Sequence, residues 1–312
     1  MMNVGNQENL DNSLVLFGLG DKLDLLIKLY NSNRLPNVLM LTGNKGEGKC
    51  TIINHLLCYI FDKDNYDLER NQINYKSHFF NQYLNNIYPN VIYLSGNNSK
   101  NIKIEDIRNL KSTLLKTTIS NQKRFIVLDD IELFNLNSLN ALLKTIEEPS
   151  QNNFFILINN KTKPLIETIR SRSQEIKILL SNEIRIEIIK SLVKKKKIEV
   201  IINFENLNLS PGNFLIFNEI CINSKIDIDK DYLFNIQVLL GLYKKNKDIS
   251  LINMILFLTD YFFYNLKTKN NQKIEIILEN KSFVTDNIKK FITYNLNQTS
   301  LINAISRKLG YE

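Results

Sequence analysis

Apolar residues in the first half of the chain switch repeatedly between helical and strand spacing. Lys22–Tyr30 (KLDLLIKLY) places them three and four apart, which predicts a helix ended by the break at Asn31–Pro36. Val38–Thr42 is a short apolar run leading into a glycine-rich turn, and Thr51–Phe61 predicts a helix behind that turn. The polar stretch Asp62–Asn86 predicts helix only in part. Val91–Leu94 reads as a strand, and Ile104–Lys116 as a helix with Ile104, Ile107, Leu110 and Leu114 along one face. Arg124–Asp129 reads as a strand ending in acid, and Ser138–Glu147 as a helix that stops before Pro149. Phe154–Ile158 is a continuous apolar run, as expected for a strand covered on both faces. Repeated strand–helix units predict an open, mostly parallel α/β sheet with helices on both sides.

Beyond Ile178 the pattern changes. Glu183–Val193 is helical and runs into Lys194-Lys195-Lys196-Lys197. From about Asp231 the periodicity is almost wholly helical, with Tyr232–Tyr243, Leu251–Leu266 and two or three later segments. The expected organisation is an α/β domain at 1–179, a small helical domain at 180–229 and a helical bundle at 230–312.

Composition narrows this picture only slightly. The hydrophobic fraction of 44% and charged fraction of 23% are those of an ordinary globular chain. A formal charge of +8 suits a phosphate-bearing partner. Lys, Asn and Ile are abundant everywhere, however, so the basic balance points weakly. The lysine run reads either as a tract for a nucleic-acid backbone or as a solvated helix face. Cys50, Cys58 and Cys221 lack paired spacing and read as reduced thiols. The polar N-terminus has no leader layout, and no uninterrupted apolar run reaches membrane-spanning length. The expectation is a soluble cytoplasmic protein with no membrane partner.

The chemistry-bearing stretch is Gly43-Asn44-Lys45-Gly46-Glu47-Gly48-Lys49-Cys50, a G-x-x-x-x-G-K-[ST] phosphate loop with one departure. Strand, glycine loop and helix follow in the order that such a loop requires. Backbone N–H groups would cradle phosphates and Lys49 would neutralise them. Cys50 stands where a hydroxyl should hold Mg²⁺, and a thiol is a poor ligand for that hard cation. The plainer reading of Cys50 is a small residue filling the hydroxyl's space. Phe125–Asp130 (FIVLDD) has the form of a Walker B strand, with Asp129 for the metal and Asp130 where a Glu base usually stands. The shorter side chain would set that base back by roughly 1.5 Å, enough to cost about a hundredfold in rate. An acidic pair capping a strand-to-helix turn is the simpler alternative. His55 and His78 stand apart from any catalytic or metal-binding partner in sequence.

Next come Asn140–Pro149 (NALLKTIEEP) and, after the strand, Thr168–Gln174 (TIRSRSQ). These resemble the NALLKxLEEP and TIxSRCQ signatures of the AAA+ clamp-loader subunits of bacterial DNA polymerase III. Ser210-Pro211-Gly212-Asn213 resembles the SPGR opening of that family's sensor-2 helix. Together the motifs cover roughly residues 10–180 and one later segment. The resemblance implies a P-loop AAA+ domain, a helical lid and a C-terminal oligomerisation collar.

Within that family three departures mark a site released from hydrolysis: Cys50, Asp130, and Asn213 where sensor 2 carries Arg. They resemble the delta-prime branch, the stator-like member of the loader, more than the gamma and tau motors. The resemblance then implies that Arg172 projects into a neighbour's ATP site as an arginine finger, with Arg170 as the nearby competitor and Ser173 in place of the motif's Cys. Asn160, beside Asn159, occupies the sensor-1 end of its strand, where Asn also favours a simple turn. Implied partners are gamma/tau and delta subunits, the sliding clamp and primed DNA through the assembly. The four-cysteine zinc module of many relatives has no cysteines here, so no zinc is expected. ATP with Mg²⁺ is expected to bind weakly or not at all. Two rival readings are an active gamma/tau-like ATPase and, more remotely, a P-loop kinase.

Overall fold

The computed structural model describes residues 13–96, 102–115, 122–150, 152–269 and 274–310. Two compact units emerge: Met1–Ile198 with Asn208–Asn213, and Glu199–Leu207 with Phe214–Glu312. Residues 1–12, on which the reading of the N-terminus falls, lie outside the described residues, as does residue 116 of the expected Ile104–Lys116 helix.

The first unit opens with α1 (Gly20–Asn31), β1 (Val38–Thr42) and α2 (Lys49–Phe61). A short hairpin of β2 (Tyr66–Asp67) and β3 (Gln72–Ile73) precedes α3 (His78–Leu84). Then follow β4 (Val91–Ser95), α4 (Ile104–Leu114), β5 (Arg124–Asp129), α5 (Leu136–Glu147) and β6 (Asn153–Asn159). A single turn of helix, α6 (Glu167–Arg170), leads to β7 (Gln174–Lys177) and the long α7 (Asn182–Lys196). The five-stranded sheet has the order β4-β5-β6-β1-β7 and is parallel throughout, with Met40 opposite Leu157 on one side and Glu175 on the other.

Strand residues alternate between two cores, because successive side chains leave a strand on opposite faces. Leu39, Leu41, Phe125, Val127, Ile156 and Ile158 pack with α1 and α2. Met40, Ile126, Leu128, Phe155 and Leu157 pack with α4 and α5. Both faces are therefore apolar, as the continuous strands led one to expect, and the α/β sheet domain followed by a helical region is as read from the sequence.

Two elements were not legible. The stretch Asp62–Asn86 holds a β-hairpin as well as a helix, and β7 had no strand signal. Its residues Gln174–Lys177 are only partly covered and pair with β1 alone, so they carry little apolar pattern. The lysine run ends α7, where cations suit the carbonyl end of a helix.

His55 is not isolated. It is fully buried on α2, and its Nε2–H donates to the Ser13 carbonyl at 2.9 Å. Its Nδ1 therefore accepts from the Tyr66 hydroxyl, also at 2.9 Å. Burial pushes its pKa down from 6.5 to about 4. The unfolded chain binds the extra proton between those values, so stability is full above pH 6.5 and falls as pH drops toward 4. Urea unfolding at pH 7.5 and pH 5 should show a loss of about 2 kcal/mol from this group. His55→Gln should be less stable at both values but flatten that part of the pH dependence.

The second unit is helical: α8 (Pro211–Ser224) from Phe214 onward, α9 (Tyr232–Asn246), α10 (Ile249–Lys269), α11 (Ile274–Tyr294) and α12 (Gln298–Leu309). By length and composition α10 could cross a membrane, with mean hydropathy 1.4 over Ile249–Thr268. Its Met254, Ile255 and Leu258 are buried, and Thr259 meets the Tyr232 hydroxyl of α9 at 3.0 Å, as in the central helix of a bundle. Buried Asn218 of α8 accepts from the amides of Ile201 and Ile202 and donates to the Glu199 carbonyl, fixing the preceding segment.

Candidate functional site

The phosphate loop lies between β1 and α2, at the carboxyl ends of the strands, where open parallel sheets place ligand crevices. Gly43 is required by close approach: a Cβ there would stand 2.3 Å from the Ile178 carbonyl. Gly46 is required twice over, by a φ of +84° and by Gly212, whose own Cβ position would fall 2.8 Å from the Gly46 Cα. Lys49 is the first residue of α2 and is buried. Its Nζ donates to the carbonyls of Gly43 at 2.9 Å and Asn44 at 2.6 Å, arching back over the loop. The Glu47 carboxylate accepts from the Asn44 amide at 2.7 Å and holds the loop's entry. Burial lowers the Lys49 pKa to about 8, against the opposing charges of Glu47, Asp129, Glu132 and Asp130.

The metal side of the loop is different. Asp129 ends β5 and its Oδ2 accepts from the Tyr93 hydroxyl at 2.6 Å. Tyr93 comes from the neighbouring β4, two residues before the Ser95 that pairs with Asp129. The Cys50 Sγ lies 4.0 Å from that same hydroxyl and 4.0 Å from Asn54 Oδ1. Burial pushes the thiol up to about 12, so it stays protonated and offers no thiolate. Burial, followed by the charge of Asp130, also raises the Asp129 pKa, disfavouring its ionised form. A neutral thiol is a poor ligand for Mg²⁺, and the Asp129 Oδ2 is engaged by a phenol.

Asp130 is likewise engaged. Asp130 has left-handed backbone, φ 51°, and its Oδ1 accepts from Asn160 Nδ2 at 2.8 Å. Lys45 Nζ of the loop stands 3.7 Å from the same oxygen. Asn160 thus meets the acidic pair from the sensor-1 end of β6. Its amide donates to Glu132 Oε1, which also accepts from the amide and hydroxyl of Thr162. Tyr93, Lys45 and Glu132 were not singled out by sequence. Lys45 is a variable position of the loop motif, Glu132 follows the acidic pair in a short turn, and Tyr93 reaches Asp129 through the pairing of β4 with β5.

Ser210–Asn213 closes on the loop. The Ser210 hydroxyl donates to the Lys45 carbonyl at 2.6 Å, and the Gly212 amide donates to the Gly46 carbonyl at 3.0 Å.

Arg172 lies away from these groups, on the turn between α6 and β7. Its Nη2 donates to Glu147 Oε1 at 2.9 Å and its Nη1 to the Thr168 carbonyl at 3.1 Å. Arg170 is drawn instead toward Glu167 at 3.6 Å and Glu175 at 3.9 Å. The structure thus gathers Gly43, Gly46, Gly48, Lys49, Cys50, Asp129, Asp130 and Asn160 around one loop and leaves Arg172 half-buried on a separate turn. Among the described residues, no group of three His, Cys, Asp or Glu side chains forms a metal cluster.

The family model described as "DNA polymerase III, delta subunit" matches residues 20–182. A delta' subunit from Buchnera aphidicola subsp. Baizongia pistaciae is 38% identical over 79 residues, covering 25% of this chain and 24% of that one. A gamma subunit from Buchnera aphidicola subsp. Schizaphis graminum is 34% identical over 94 residues, covering 30% and 26%. A delta' subunit from Haemophilus influenzae is 26% identical over 198 residues, covering 60% of each chain. The matches therefore span from about a quarter to three fifths of these relatives' own length.

Proposed function

This chain belongs to the DNA polymerase III delta-subunit family, and from that premise we propose that it acts as the delta-prime-like stator of a clamp loader. In this reading its own P-loop is architecture, and its contribution to chemistry is Arg172, delivered in trans to a neighbouring motor. The observation that carries the reading is the 2.6 Å hydrogen bond from Tyr93 to Asp129 beside Cys50. A Walker B carboxylate engaged by a phenol, next to a protonated thiol, is poorly placed to hold a metal. Asp130, engaged by Asn160 and Lys45, is equally poorly placed to activate water.

Arg172 has what a finger needs: a planar cation near the surface, on a short turn whose neighbours are fixed. Ile169 is fully buried, and the Ser173 hydroxyl donates to the carbonyls of Ile169 and Arg170. Placed against a transferring phosphate, such a guanidinium stabilises the developing charge and is worth about 10³ to 10⁵ in rate. The rival reading, an active gamma/tau-like ATPase, rests on the preserved arch of Lys49 and the two glycines at positive φ. Those features serve loop shape equally well, whereas the engaged Asp129 counts against hydrolysis.

The proposed partners are gamma or tau and delta subunits, with the sliding clamp and primed DNA met through the assembly in the cytoplasm. Co-expression with the gamma and delta chains of the same organism tests this directly. The chain is expected to co-elute with both as one complex of constant mass by light scattering. Elution of the folded chain alone, while gamma and delta assemble without it, would remove the reading.

A further inference from the structure

Arg172 is held by Glu147, and the placement of that carboxylate runs against helix physics. Glu147 is the last residue of α5 and Glu148 follows as its C-cap, so two acids sit at the negative end of the helix dipole. That arrangement costs helix stability. Nothing in α5 compensates beyond Lys144 in the last turn. The cation that meets Glu147 comes from 25 residues away, through Arg172 Nη2 at 2.9 Å.

The placement is firm at both ends. Ile146, directly before Glu147, is buried with Leu142 and Leu139 along one face of α5. On the other side, buried Ile169 and the bonded Ser173 hydroxyl flank Arg172. The guanidinium carries five N–H donors in a rigid fork. Glu147 takes one from Nη2 and the Thr168 carbonyl takes one from Nη1. Nη1 also reaches the Ser171 hydroxyl at 3.5 Å, whereas Nη2 keeps a second N–H that suits a phosphate oxygen.

We propose that Glu147 is the positioning residue for the Arg172 finger. It orients the guanidinium, through a charge-assisted hydrogen bond, toward a nucleoside triphosphate bound by the neighbouring subunit. This rests on the finger reading of Arg172 and adds a residue that itself touches no substrate. An unrestrained arginine would spread over many rotamers, and the fraction aligned with the phosphate would fall accordingly.

The test uses the assembled loader and its pre-steady-state burst of phosphate release, with the phase that Arg172→Ala removes taken as the readout. Glu147→Ala is expected to slow that phase about tenfold while leaving the KM for ATP, the assembly and the melting temperature of the chain unchanged. Glu147→Gln, which keeps an accepting oxygen, should recover most of the rate. Glu148→Ala, an equal loss of charge at the adjacent position, should change little. Glu147→Ala added to Arg172→Ala should slow the loader no further. A normal burst in Glu147→Ala, in a loader that Arg172→Ala cripples, would overturn the positioning role and spare the finger. A loss that adds to that of Arg172→Ala would also overturn it. No effect of Arg172→Ala would remove the finger reading and the proposal with it.

Discussion

If Arg172 is the proposed finger, replacing it with Ala is expected to slow ATP hydrolysis by the neighbouring motor about 10³-fold, while the chain stays folded and assembled. The two consequences separate because their sizes differ. In the chain itself Arg172 makes one partly exposed ion pair with Glu147, one bond to a backbone carbonyl and a long bond to the Ser171 hydroxyl. Pairs of that kind contribute between zero and about 1 kcal/mol. A thousandfold rate loss corresponds to about 4 kcal/mol of transition-state stabilisation. Stability should therefore barely move while one phase of phosphate release disappears. Arg170→Ala is the matched control: its carboxylate partners are Glu167 on α6 and Glu175 on β7, and it should leave the burst intact. Loss of the burst with Arg170→Ala, and not with Arg172→Ala, would move the finger to the other arginine.

Lys49→Met is expected to have the largest effect on stability, lowering that of the first unit by about 3 kcal/mol. By its contacts the lysine is a structural cation. It satisfies the carbonyls of Gly43 and Asn44 from a buried position, among the carboxylates of Glu47, Asp129, Asp130 and Glu132. Methionine fills similar space but donates nothing, so the Gly43 carbonyl loses the lysine's donor, the Asn44 carbonyl keeps the longer bond from the Glu47 amide at 3.4 Å, and the acids lose their central counter-charge. A shift in urea midpoint of that size, without added nucleotide, identifies the P-loop as part of the fold. A midpoint within experimental error of the parent would show that Lys49 is held ready for a ligand instead.

The extent of sequence legibility follows from where each signal resides. The loop, the acidic strand end and the SRS turn are local strings, so Gly43–Cys50, Asp129, Asp130 and Arg172 could be marked in advance. The sheet was legible because both faces are apolar, which makes β1, β5 and β6 unbroken hydrophobic runs. Tyr93 was read only as strand filler. Its contact with Asp129 depends on β4 lying beside β5 in a particular register, which no local pattern encodes. Glu147 was read inside a signature, and its partner lies one strand and one helical turn further on. Edge strand β7 escaped because a half-covered, four-residue strand needs little hydrophobicity. The hairpin at Tyr66–Ile73 escaped for a similar reason: two-residue strands leave no alternation to detect.

Steady-state Mg·ATP hydrolysis by the isolated chain, run beside Lys49→Met, tests the central claim most directly. The account predicts that neither protein releases phosphate above the buffer rate, although the variant unfolds at lower urea. Turnover by the parent chain that Lys49→Met abolishes would contradict it. The phosphate loop would then be a working site, and the Tyr93–Asp129 bond a contact that opens when nucleotide arrives.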